Sequence, residues 1–98
     1  MRLSKLQKYI LKKCYNQRDY HLIREVLLGF YENKETPRKN LQVKIITQSI
    51  ESLIDKELMI GYGVRTPHRW FIKEVKLTDK GVKLTRKLFG EQLSLPIK

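Results

Sequence analysis

Apolar positions follow a helical rhythm in the first half of the chain, an extended one after residue 58, and a helical one again towards the end. Leu6, Ile10, Leu11 and Cys14 recur on one helix face, with Lys5, Lys8, Lys12 and Lys13 off that stripe. Ser4 and Gln7 have the Ser-x-x-Gln form of a capping box, so a first helix is expected from Ser4 to near Asn16. Asp19 can cap a second helix whose stripe is Leu22, Ile23, Val26, Leu27, Phe30 and Tyr31. Residues 32–39 read as a loop, with Thr36–Pro37 as an N-cap followed by proline at the first helical position.

The stretch from Pro37 to Leu58 is long enough for one helix, but its periodicity is broken. Ile46, Ile50, Leu53, Ile54 and Glu57 share a face, whereas the same helix run backwards puts Leu41 on the solvent side and Ile45 off the core face. A break near Gln42–Lys44 is therefore expected, giving a short helix and then a longer one over about 44–57. Met59–Val64 and Trp70–Leu77 read as strands, joined by a hairpin loop at Arg65–Arg69. Thr78–Asp79 caps a last helix that runs to about Phe89 and stops at Gly90. These elements fit one domain over residues 1–90, followed by a tail over 91–98.

Composition narrows the classes. The chain has 98 residues, 41% hydrophobic and 32% charged, which is globular and supports one modest core. Cys14 is the sole cysteine, and neither His21 nor His68 has a ligand-rich neighbourhood, so no disulfide framework, metal site or cofactor is expected. No apolar run is long enough for a membrane span, and the N-terminus lacks a signal-peptide core, so a cytoplasmic, reducing setting is the default. The net charge of +11 favours a polyanionic partner. It is unevenly placed: +6 over residues 1–18, −1 over 19–64 and +6 over 65–98. No acid, base and nucleophile are grouped in a way that suggests an enzyme.

Thr47-Gln48-Ser49-Ile50-Glu51-Ser52-Leu53-Ile54-Asp55-Lys56-Glu57-Leu58-Met59-Ile60 resembles the recognition helix and first wing strand of winged helix-turn-helix proteins. Leu53 to Met59 follows their Leu-x-x-Lys-Gly-Leu-Ile pattern, with Glu57 in place of the glycine. Leu77-Thr78-Asp79-Lys80-Gly81 is similar to the Leu-Thr-x-x-Gly that joins the second wing strand to their closing helix. The resemblance implies an α+β winged helix-turn-helix with a small antiparallel wing of two or three strands. It also implies a transcriptional regulator that binds double-stranded DNA, with the closing helix as a candidate homodimer contact.

On that reading the outward face of helix 44–57 carries Lys44, Gln48, Glu51, Ser52 and Asp55, with Thr47 at its edge. Gln48 suits adenine edges, while Lys44 and Thr47 suit phosphate or guanine. Arg65, His68 and Arg69 at the wing tip would reach the backbone or the minor groove, and Arg38 and Lys39 before the turn are further phosphate candidates. Glu51 and Asp55 place two acids on the same face. Either only Lys44, Thr47 and Gln48 enter the groove, or the fold serves as a protein-interaction module. The tail, Gln92-Leu93-Ser94-Leu95-Pro96-Ile97, is similar to the short peptide by which bacterial replication proteins bind the sliding clamp. Gln92 would then take a polar subsite while Leu95 and Ile97 fill apolar pockets, with Leu93 also part of the partner-binding tail. The other reading packs Leu93, Leu95 and Ile97 against helix one or a second copy.

Overall fold

A computed structural model describes residues 2–32, 38–68 and 70–90. Helix α1 (Lys5–Tyr15) leads through a 3-10 turn (Arg18–Tyr20) into strand β1 (His21–Ile23) and a 3-10 helix (Arg24–Tyr31). Helix α2 (Lys39–Asp55) follows, then strands β2 (Met59–Arg65) and β3 (Trp70–Leu77) and helix α3 (Asp79–Phe89). The sheet is antiparallel with order β1-β3-β2, so β3 is central. Inward side chains of all these elements form one core, with Ile10, Leu11, Cys14, Leu27, Ile50, Leu53, Leu58 and Val75 fully buried.

The local signals for α1 and α3 hold. Ser4 Oγ accepts from the Gln7 amide at 3.1 Å, and the Ser4 amide donates to Gln7 Oε1 at 3.0 Å. Helix α1 closes on Asn16. Thr78 caps α3 by accepting from the Gly81 amide at 3.0 Å, and Gly90, at φ 38°, ends it.

Two expectations are corrected. The second helix over Leu22–Tyr31 is not an α-helix: Asp19 and Tyr20 both lie at φ 57°, which turns the chain and releases His21–Ile23 as an extended edge strand. His21, Leu22 and Ile23 pair with Lys76, Val75 and Glu74 and satisfy the outer edge of β3. The chain then tightens into a 3-10 helix that buries Leu27 while Ile23 and Val26 stay exposed. The third strand of the sheet is thus drawn from sequence that carries helical spacing.

The break at Gln42–Lys44 is also absent, because α2 is continuous from Lys39 to Asp55. Leu41 is 46% exposed, as its spacing requires, and Gln42 is turned inward at 8%. An exposed leucine is a common and tolerable cost, smaller than that of interrupting the helical hydrogen bonds. Arg38 occupies the N-cap of α2. The Thr36–Pro37 start lies outside the described residues.

The end of α2 and the start of α3 are locked together. The Leu58 amide donates to Leu53 O at 3.0 Å and the Glu57 amide to Ile54 O at 2.9 Å, the two bonds of a Schellman motif with Leu53 and Leu58 both buried. This places Glu57 at φ 63°, the left-handed position usually given to glycine. Thr78 then ties the turn to α3: its Oγ1 donates to Glu57 O at 2.6 Å and its amide to Leu58 O at 3.1 Å. Gly81 approaches so closely that a Cβ there would lie 2.0 Å from Leu58 O.

Three outcomes are expected. Glu57→Gly should raise stability by about 1 kcal/mol, because relief of a left-handed residue (~1–2 kcal/mol) exceeds the added chain entropy of glycine (~0.5–1 kcal/mol). Gly81→Ala should lower it by roughly 1–3 kcal/mol or more, since the contact it violates is backbone and has little room to yield. Thermal unfolding followed by circular dichroism reads both. Cys14 has no exposed surface, and burial pushes its thiol up to about 12. It should therefore react with a thiol reagent at pH 8 only as fast as the protein opens. Rapid stoichiometric labelling of the folded protein would contradict this placement.

Candidate nucleic-acid interface

Helix α2 turns Ile46, Ile50 and Leu53 into the core and so presents the opposite side of its cylinder to solvent. Lys44, Gln48 and Asp55 are exposed on that side, Glu51 and Ser52 are half-buried, and Thr47 is half-buried at the edge. Two of the expected contacts are already engaged within the molecule. Thr47 Oγ1 accepts from Arg24 Nη1 at 3.3 Å, and Ser52 Oγ accepts from Lys56 Nζ at 2.7 Å. Lys44 and Gln48 are thus the exposed long polar side chains in the middle of α2. Arg38 and Lys39 are exposed at the helix start.

The wing is the β2–β3 hairpin. Its pairing shifts between Tyr62 and Gly63, where a Cβ on Gly63 would lie 1.9 Å from Phe71 O, so glycine allows the two strands to approach. Beyond the shift, Arg65 ends β2 and is exposed, and His68 is exposed in the connecting turn. Arg69 lies outside the described residues, as do the tail residues Gln92, Leu93, Leu95 and Ile97. The outer face of the sheet carries exposed Ile23, Ile60, Tyr62, Val64 and Phe71, together with a His21 Nε2–Glu74 Oε1 pair at 2.6 Å.

Arg24 is a residue that the sequence did not single out, and Lys56 entered there only as the lysine of the wing motif. Arg24 lies at the start of the 3-10 helix and reaches α2 through Thr47; its Nε is buried with no partner among the described residues. It also lines a cavity of about 210 Å³ with Glu25, Leu28, Lys39, Val43 and Ile46. The only signal for it in the sequence is a charge inside an apolar stretch. Among the described residues, no three His, Cys, Asp or Glu side chains converge as metal ligands, and no helix is long and apolar enough to cross a membrane.

No protein-family profile matches the chain, and no curated protein sequence matches it. Among solved structures, the adhesin competence repressor AdcR from Streptococcus pyogenes is similar, with a TM-score of 0.58 and 17% identity over 93% of this chain. The chain spans 60% of the length of that protein. Helix order, the antiparallel hairpin and this likeness together make the fold an α+β winged helix.

Proposed function

We propose that the chain is a non-enzymatic protein that binds double-stranded DNA and acts as a small cytoplasmic transcriptional regulator. The supporting observation is the exposed polar row of α2, Lys44 and Gln48 above Thr47, beside a hairpin that carries Arg65 and His68 at its tip. In this reading residues 1–90 form the binding unit and 91–98 a tail. The N-terminal half of α2 enters the major groove, where Gln48 offers a donor and an acceptor to an adenine edge and Lys44 reaches guanine or phosphate. Glu51 and Asp55 hold the C-terminal half away from the phosphates. The repressor named by the similar structure accords with such a role, although 17% identity speaks only to the fold.

The wing supplies grip. Arg65, Arg69 and His68 follow the backbone beside the groove, and Arg38 and Lys39 meet it at the start of the helix. Arg24 has an indirect part, holding Thr47 at the edge of the reading row.

Fluorescence anisotropy with a selected duplex and a scrambled one tests this. Affinity should fall with salt by about 0.9 log units per phosphate contact for each log unit of salt. Gln48→Ala should narrow the difference between the two duplexes by roughly 1–3 kcal/mol while leaving the scrambled affinity alone. Lys44→Ala should weaken both and flatten the salt slope by about 0.9 if it meets phosphate. Binding that is absent, or indifferent to salt, overturns the reading.

A further inference from the structure

The two outer edges of the sheet are built differently. With the order β1-β3-β2, strands β1 and β2 each present one edge that no other strand among the described residues pairs with. Such an edge leaves alternate N–H and C=O groups without a ladder partner, and proteins blunt it with a short strand, a charge, a proline or a bulge. Strand β1 is only three residues long, and its His21 side chain is tied to Glu74 of the neighbouring strand. Strand β2, Met-Ile-Gly-Tyr-Gly-Val-Arg, runs for seven residues with no proline and no charge before Arg65. The irregularity in the hairpin does not blunt it. Tyr62 faces Glu74 and Gly63 faces Ile72, so the extra residue is Lys73 on β3, and β2 itself stays regular.

The side chains of β2 add a second observation. Met59 is buried, with buried Leu77 opposite it, and the alternation of the strand then turns Ile60, Tyr62 and Val64 to the outer face. They are 44%, 45% and 55% exposed there. Phe71, paired with Val64, is exposed on the same face. Outward positions of an antiparallel strand with one solvated face are ordinarily polar, and here they are isoleucine, tyrosine and valine. Neighbouring apolar side chains left in water together mark an interaction surface, whereas scattered single ones do not.

We propose that the outer edge of β2 pairs antiparallel with β2 of a second copy, joining two three-stranded sheets into one across a two-fold axis at Tyr62. The sequence of the strand itself argues for this occupant. About that axis Tyr62 faces Tyr62 of the second copy, Ile60 faces Val64, and Met59 faces Arg65. Paired residues are an even number of positions apart, so each outward side chain meets an outward one. The pairs are aromatic on aromatic and β-branched on β-branched, both favourable, and no charge meets its like. The contact is isologous and closes with two copies, which uses up both open edges. Nucleic acid has no strand with which to extend a sheet, and its phosphates gain nothing from isoleucine and valine. The closing helix offers Leu88 as its one exposed large hydrophobic, among exposed Lys83, Arg86 and Lys87. A contact of one strand pair is small, so the dimer should form with a Kd of roughly micromolar order.

The test uses the full chain without nucleic acid. Sedimentation velocity from about 1 to 500 µM should show the average mass rising from one chain towards two. Tyr62→Lys and Tyr62→Glu each set like charges across the two-fold axis and should weaken the dimer by roughly tenfold or more. An equimolar mixture of the two variants should restore it. Tyr62→Cys should form a disulfide between copies under mild oxidation, because directly opposed residues lie about 4.5–5.5 Å apart. Ile60→Cys should not, since four residues of strand, roughly 13 Å, separate it from its own counterpart. Cys14 is buried and does not compete. Both substituted side chains are exposed, and circular dichroism verifies that each variant is folded. A chain that stays monomeric throughout the range overturns the proposal. So does one that dimerises only when truncated after Gly90, because its own tail then covers the edge. A dimer that neither Tyr62 variant weakens lies elsewhere on the molecule and overturns it equally. None of these outcomes bears on DNA binding, which anisotropy measures separately.

Discussion

The geometry of the whole molecule depends on one close contact between backbones, where Gly81 at the start of α3 lies against the carbonyl of Leu58 just after α2. Four element ends meet there: the end of α2, the start of β2, the end of β3 and the start of α3. Thr78 joins them by donating to both Glu57 O and Leu58 O. Because the parts in contact are main chain, they have no rotamers with which to adjust. The angle between α2 and the β2–β3 hairpin is therefore set by packing at closest approach, and helix and wing move as one unit. Any partner that accepts one must accept the other at a fixed separation.

That contact also accounts for Glu57. A residue with a Cβ in the left-handed region costs about 1–2 kcal/mol, yet the Schellman turn requires that conformation. Burial of Leu53 and Leu58 on either side of the turn, each worth roughly 1.5–3 kcal/mol, is large enough to hold it. The departure from the usual glycine is thus a local strain that the core overrides, and it does not alter the path of the chain.

What could be read from the sequence divides along the range of the interactions responsible. Caps at Ser4, Thr78 and Gly90 depend on partners within four residues, and both wing strands depend on nearest-neighbour pairing through a short loop. All of these were legible. The stretch from Asp19 to Tyr31 was not, because its state is decided by β3, some fifty residues away, whose free edge takes His21–Ile23 as a strand. Its apolar residues suit a helix equally well, and nothing in Asp19–Tyr20 announces two consecutive left-handed residues. The expected break in α2 erred in the opposite sense, treating the exposed Leu41 as prohibitive when a helix can simply carry it. At the candidate interface, exposure of Lys44 and Gln48 followed directly from the phase of the α2 stripe. The engagement of Thr47 by Arg24 did not, since it depends on where the misread segment runs.

On the proposed DNA-binding reading, the distribution of charge separates two tasks that a single basic helix would have to combine. Asp55 and Glu51 stand near the C-terminal end of α2, where the helix dipole already disfavours anions, and the last turn contains no basic residue to offset them. These acids do not serve the stability of the helix. Their effect is to leave α2 neutral overall. Helices α1 and α3 carry most of their cations away from their buried residues. On the proposed DNA-binding reading, grip falls to the wing and discrimination to the short polar segment around Gln48.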